Sequence, residues 1–334
     1  MVNLAFIGTG EMAQIHVNSL LKNEQVKIIK YYDLNLPKAR DFAEKYGGKA
    51  CDDVQDIYSC DDVDAVYICT RHDSHEEYAI NAMKNKKHVF IEKPLTLNYC
   101  SAKKIIDIYK ETGKVLKVGF NMRVTPSVMR FKQLLQESNV NTEVFEAKLT
   151  PPPFMNSWTG DEHFGGGVLA CLGCHMFDFI GYILGVRIKE INCSLKRLQQ
   201  PESLMENSAV LMLRMENGIE GSLILHDRGV KGYHVDPAGK MQSMTIYSNQ
   251  GSYYVESYGD INYSTKSNFI MEKTGSLNQL ELWGYQKEND LFIDELSGKK
   301  TILCDIYSAA ENVLVVDSAK ESAMTGKWIT IDYK

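Results

Sequence analysis

Apolar positions along the chain recur with two periods, and the switches between them mark out the elements. Val2-Asn-Leu-Ala-Phe-Ile7 is a short apolar run ending at Gly8, which predicts a buried strand. After it, Ile15, Leu20 and Leu21 fall at helical spacing, and Val26 to Tyr32 reads as a second strand closed by Asp33. The alternation continues. Pro37 to Tyr46 predicts a helix stopped by Gly47-Gly48, and Val63 to Cys69 a buried strand. Ser74-His-Glu-Glu77 has the form of a capping box opening a helix with Tyr78, Ala79, Ala82 and Met83 inward. His88 to Ile91 predicts a strand that stops at Glu92-Lys93-Pro94. Asn98 to Thr112 predicts a helix, and Val115 to Gly119 a further strand. Strands alternating with helices form a parallel, doubly wound sheet, and such sheets carry their functional residues at the carboxyl ends of the strands. Gly8, Asp33, Thr70, Glu92, Lys93 and Asn121 are therefore expected along one edge.

The pattern changes near Phe120. Thr125-Pro126 is a good helix start. Longer strands follow: Glu143 to Leu149, Ile188 to Leu198, Ser208 to Met215 and Ile219 to His226, with Asn217-Gly218 as a hairpin turn. Met241 to Tyr247 and Ser252 to Val255 look like two more. No helix separates successive strands here, so this sheet is expected to be largely antiparallel within an α+β domain. Residues 257–280 are polar and poorly periodic and read as loop. Asp305 to Met324 is an amphipathic helix, and Trp328 to Ile331 a closing strand.

The first stretch also carries chemistry. Gly8-Thr-Gly10-Glu-Met-Ala13 between a strand and a helix is a dinucleotide-binding fingerprint. Gly8 allows the tight turn, Gly10 lets backbone approach a pyrophosphate, and Ala13 stands where helix packs on strand. The helix N-terminus, with the amides of Glu11 and Met12, offers N–H donors and partial positive charge to phosphates. Asp33 lies where an acid meets a ribose 2′-hydroxyl and repels a 2′-phosphate, which favours NAD over NADP. NADP stays possible, because Arg40 is in the next helix. The fold class expected is thus α/β: a Rossmann domain over residues 1–120, then an α+β domain for substrate binding and oligomerisation over residues 121–334.

With 334 residues, two domains are the better prior. A net charge of −6 without a basic stripe argues against nucleic acid and anionic membranes as partners. The longest apolar stretch, Met176 to Val186, contains Asp178 and is too short to span a bilayer. The chain opens directly on a strand, without the pattern of a signal peptide, so a cytoplasmic location is expected. The eight scattered cysteines then read as reduced thiols, mostly in the core.

Lys93, at a strand end and before a proline, is expected to face the crevice where a nicotinamide would lie, and a lysine beside that cation could trade protons near neutral pH. The second constellation runs from Gly165-Gly-Gly to Asp178 and reads as helix to about Leu184. Cys171, His175, Asp178 and Tyr182 are spaced by four, three and four, so they form one stripe. A histidine with an acid at i+3 can be held in one tautomer and act as a general base; the alternative is a satisfied core histidine. Cys171-Leu-Gly-Cys174-His175 also matches a haem attachment pattern, which would require an exported protein. No second Cys/His pair completes a zinc site, so no metal is expected.

With these pieces assembled, the chain resembles the Gfo/Idh/MocA oxidoreductase family over nearly its whole length. The motifs that carry the resemblance are Gly8 to Ala13 with His16 in the following helix; Thr70-Arg-His-Asp-Ser-His75; Glu92-Lys93-Pro94; Val118-Gly-Phe-Asn121-Met-Arg123; and the run from Gly165 to Asp178. The resemblance implies NAD(P)-dependent hydride transfer at a carbinol carbon of a sugar, cyclitol or derivative. It also implies a C-terminal open sheet that makes homodimers or homotetramers. By the same resemblance Lys93 and His175 are the catalytic pair, and Glu92, Asn121 and the loop with Thr70, His72 and His75 would touch the cofactor. Arg123, Trp158, Cys171 and Tyr285 are the candidates for substrate contact. Two positions depart from the family pattern. Cys171 stands where an acid is usual, and Arg71-His72 where Pro-Asn is usual. Arg71 and Arg123 would suit an anionic or nucleotide-linked sugar unless each pairs with a carboxylate. Two rival readings remain: a redox-neutral glycosidase or lyase that keeps its NAD, and a catalytically silent sugar or NAD sensor.

Overall fold

In the computed structural model, which describes residues 1–153, 157–198, 206–229 and 241–333, the chain divides into two compact units. The first comprises Met1–Asn121 together with Gly284–Ala310. Six strands run parallel in it: β1 (Val2–Ile7), β2 (Val26–Tyr32), β3 (Lys49–Cys51), β4 (Ala65–Ile68), β5 (His88–Glu92) and β6 (Leu116–Gly119). Their order is β6-β5-β4-β1-β2-β3, and the two-residue strand Cys304–Asp305 adds antiparallel to β6 at the edge. The central strands are buried on both faces, which explains their continuous apolar runs. Phe6, Tyr67 and Phe90 occupy paired positions on β1, β4 and β5. Their rings stack in a ladder, with centroids 4.9 and 4.7 Å apart. Phe292, on the helix Tyr285–Leu296, meets Tyr67 and Phe90 edge-on at 5.5 and 5.4 Å. Such aromatic contacts contribute about 0.5–1.5 kcal/mol each beyond burial, and they seat this late helix on the sheet of the first unit.

The second unit comprises Met122–Trp283 and Glu311–Lys334. Its sheet contains β7 (Val144–Leu149), β8 (Ile188–Lys196), β9 (Ser208–Met215), β10 (Glu220–His226), β11 (Gln242–Ser248), β12 (Gly251–Glu256), β13 (Ile261–Thr265) and β14 (Phe269–Glu272). The order is β14-β13-β12-β11-β7-β10-β9-β8, with Ile329–Thr330 beyond β8. All pairings are antiparallel except β7 with β10. One face is core, with Phe145, Leu149, Leu211, Leu223, Met244 and Val255 buried. The other is open and mixed, with Val144, Val210, Met212, Ile224 and Tyr247 exposed among charged side chains. Among the described residues no helix is long and apolar enough to cross a membrane.

Several expectations are corrected. Residues 257–280 are not loop. They hold the β13–β14 hairpin and the short helix Gln279–Leu282. The hairpin lies at the sheet edge and buries only Ile261 fully, so its sequence carries no alternation. The second domain is not one unbroken stretch from residue 121, because Gly284–Ala310 belongs to the first unit. Ser74 does not cap the helix His75–Lys84 with its side chain. Its hydroxyl donates instead to Thr70 Oγ1 and the Arg71 carbonyl, both at 2.8 Å. The three-residue β3 is too short for the pattern to reveal.

Candidate functional site

In the first unit, β1 leads into a turn that only glycine can make at its first position. Gly8 has φ +90°, and a Cβ there would lie 2.4 Å from the Cys69 carbonyl oxygen. Its amide donates to the Tyr32 carbonyl at 2.8 Å, tying the turn to the end of β2. Gly10 is different. It flanks the helix Glu11–Leu20 with φ −83°, and a Cβ there would meet nothing within 4 Å. The space over the helix N-terminus is therefore open, and a phosphate can approach the backbone because no side chain projects there. This arrangement fits the pyrophosphate of a dinucleotide.

Asp33 stands at the end of β2, and its carboxylate is pinned. Thr9 N–H and Thr9 O–H donate to Oδ2 at 2.8 and 2.9 Å, and Asn35 N–H donates to Oδ1 at 2.8 Å. Three donors hold the acid beside the glycine turn without exhausting its lone pairs. After β4 comes the loop from Thr70 to His75, with His72 buried in a single 3₁₀ turn. His75 is fully buried. Its Nδ1 lies 2.8 Å from the Pro94 carbonyl and its Nε2 3.3 Å from the Thr70 carbonyl. Burial pushes its pKa down, and the hydrogen bonds to the two carbonyls oppose that in part. His75 thus clasps the turn at Lys93-Pro94, which contains a cis peptide bond.

Glu92, the last residue of β5, is buried. Its Oε1 lies 2.8 Å from His16 Nε2, and its Oε2 accepts from the Lys93 amide at 3.2 Å. Gly119, its neighbour on β6, makes the room: a Cβ there would sit 3.1 Å from Glu92 Oε1. His16 Nδ1 in turn lies 3.0 Å from Asn289 Oδ1, on the helix Tyr285–Leu296. Asn121, two residues after β6, is buried and opens the 3₁₀ turn Asn121–Val124.

In the second unit, Gly166 and Gly167 take positive φ of 76° and 71° and turn the chain into a helix. Its first turn, Leu169–Gly173, is a π turn that continues into the α-helix Cys174–Leu184. The π turn holds Cys171, which is buried. His175 is half-buried. Asp178 receives Arg123 side-on, through Nε at 2.8 and 3.1 Å and Nη2 at 2.6 Å. Arg123 and Lys132 also lie over the Tyr182 ring, at 5.3 and 3.7 Å from its centroid. Trp158 lies in the short 3₁₀ turn Trp158–Gly160 and is 37% exposed. Among the described residues no group of three or more His, Cys, Asp or Glu is gathered to hold a metal ion.

Comparison with known proteins adds the family. The family model described as "Oxidoreductase family, NAD-binding Rossmann fold" matches residues 2–120, and that of the "GFO/IDH/MocA C-terminal domain" matches residues 140–254. The chain belongs to the Gfo/Idh/MocA oxidoreductase family. Myo-inositol 2-dehydrogenase of Thermotoga maritima is 24% identical over 334 residues, covering 97% of this chain and 94% of that protein. D-glucoside 3-dehydrogenase of Escherichia coli is 24% identical, covering 97% and 96%. Among solved structures, levoglucosan dehydrogenase in complex with NADH and levoglucosan superposes with a TM-score of 0.89 at 20% identity, covering 100% of each chain. NAD(H) is the cofactor of this family's Rossmann domain.

Against that family frame, the first unit brings Gly8, Gly10, Glu11, Met12, Asp33, Thr70, His72, His75, Glu92 and Lys93 to the strand ends of one sheet. Arg123, Trp158, Cys171 and His175 belong to the second unit. Tyr285, a candidate for substrate contact, is helical and buried in the first unit. Its ring lies edge-on to His16 at 5.7 Å and its carbonyl accepts from Asn289 Nδ2 at 2.9 Å. Glu92 shares its Oε1 with His16. Neither arginine is a spare positive charge: Arg71 pairs with Asp73 at 3.2 Å and Arg123 with Asp178. Sequence reasoning missed Asn289, whose partner is 273 positions away. No local pattern could have signalled it.

Proposed function

We propose that this protein is an NAD-dependent dehydrogenase or reductase acting on a carbinol carbon of a neutral sugar or cyclitol. The observation that carries the reading is the pinned Asp33 beside the open Gly10 turn, in a family whose named members include inositol and glucoside dehydrogenases. The bound nicotinamide supplies the hydride acceptor or donor. His175 takes up the hydroxyl proton on oxidation and returns it on reduction, a role suited to a half-buried imidazole. Lys93 polarises the oxygen or relays its proton, on a backbone held by Glu92 and His75. Pairing of Arg71 and Arg123 with carboxylates favours uncharged substrates over phosphorylated ones. The open face of the second unit's sheet is the surface through which homodimers or homotetramers would form.

The test is NAD reduction against a panel of polyols, aldoses and nucleotide sugars, followed by Lys93→Met and His175→Ala on the best substrate. Either variant should lower kcat by about a hundredfold or more while NAD still binds. Full turnover by Lys93→Met would remove that lysine from the chemistry. A product formed without net NADH would instead favour the redox-neutral reading.

A further inference from the structure

The buried polar chain behind Lys93 leads out of the motifs and into the helix that returns from the far end of the sequence. Asn289 is fully buried, as is His16. The Asn289 amide nitrogen donates to the Tyr285 carbonyl at 2.9 Å, which turns its oxygen toward His16. That oxygen accepts from Tyr67 O–H at 3.0 Å and lies 3.0 Å from His16 Nδ1. An amide oxygen only accepts, so His16 Nδ1 carries a hydrogen. The ring's orientation is then set, and Nε2 is aimed at Glu92 Oε1 at 2.8 Å. One proton lies between those two atoms, whether carried by the imidazole or by the carboxyl. The other Glu92 oxygen receives the Lys93 amide. Rings of Tyr67, Phe90 and Tyr285 surround His16 at 5.5, 5.0 and 5.7 Å, which keeps water from replacing any link.

We propose that His16 and Asn289 are positioning residues of the reaction centre. Asn289 holds the His16 ring, His16 holds the Glu92 carboxylate, and Glu92 holds the backbone from which Lys93 projects. The inference rests on the reading of Lys93 as catalytic. It gives the late helix Tyr285–Leu296 a part in the cofactor unit beyond packing: it supplies an amide that orients the buried histidine.

Three variants and one direct observation test it. His16→Leu removes the hydrogen-bond partner of Glu92 Oε1, whereas His16→Gln keeps a polar side chain there. Exchange of the Lys93 amide proton, followed by NMR with and without NADH, should quicken about tenfold in His16→Leu and return close to the wild-type rate in His16→Gln. On a substrate from the panel, kcat should fall about tenfold in His16→Leu and recover in His16→Gln, with KM for NAD shifted by less than about twofold. Asn289→Leu should follow His16→Leu. Side-chain ¹⁵N resonances of His16 in the wild type should show a protonated Nδ1. Equal exchange and equal kcat in the Leu and Gln variants would overturn the role of His16. An unprotonated Nδ1, or a folded Asn289→Leu with wild-type exchange, would overturn that of Asn289. If no panel member is oxidised, the dehydrogenase reading fails, and the exchange comparison still decides the positioning role.

Discussion

Asp178, three residues after His175 on one helix, holds the Arg123 guanidinium through three hydrogen bonds of 2.6–3.1 Å. The two side chains are 2% and 13% exposed, so neither charge is well hydrated. Removing one partner strands the other. Arg123→Met or Asp178→Leu alone should destabilise by about 3–5 kcal/mol in urea unfolding, and the double variant by clearly less than the sum. Additive losses would mean that the pair is not coupled.

The two glycines of the turn should separate folding from binding. Gly8→Ala places a methyl against the Cys69 carbonyl at positive φ and should cost about 2 kcal/mol or more of stability. Gly10→Ala points into open space at an ordinary φ and should change stability by less than about 0.5 kcal/mol. Its NAD affinity, measured by calorimetry, should nevertheless fall at least about tenfold, because the methyl occupies the phosphate approach.

His75 makes stability depend on pH. Its folded pKa is lowered from 6.5, chiefly by burial. The unfolded chain therefore binds a proton first as pH falls, and the stabilisation present above about 6.5 is lost below it. His88 shifts in the same direction, again chiefly by burial, so it adds to the slope. Thermal melts of wild type between about pH 5 and 8 should show Tm falling on the acid side, and His75→Gln should flatten that fall in part. An unchanged slope in the variant would contradict the assignment.

Asp33 should set the choice of cofactor. Its carboxylate is held by Thr9 and Asn35 and cannot swing away from a 2′-phosphate. Wild type should bind NAD at least about tenfold more tightly than NADP, and Asp33→Ala should narrow the gap mainly by weakening NAD. Equal affinities in the wild type would contradict the ribose role.

The first unit was legible because its signals are local. Gly8, Gly10, Ala13 and Asp33 all lie within one strand-helix-strand unit, and an apolar run on a doubly covered strand needs no distant partner to be recognised. Lys93 and His175 stand out as candidates by position and motif. What local pattern could not hold was who pairs with whom. Asp178 lies one helical turn after His175, and Arg123, which pairs with it, is 55 positions away in sequence. Cys171 has the spacing of the His175 stripe, and the π turn Leu169–Gly173 departs there from the α-helical period that such spacing assumes. Tyr285 lies in the wall around His16, 269 positions away in sequence. The amphipathic period, the turn glycines and the strand-end acids thus came from the sequence alone, since each depends on neighbours a few residues away. The discontinuous cofactor unit and the Asn289–His16–Glu92 chain came only from the tertiary structure. Buried polar groups must find partners wherever the fold brings them, and sequence separation does not limit that choice.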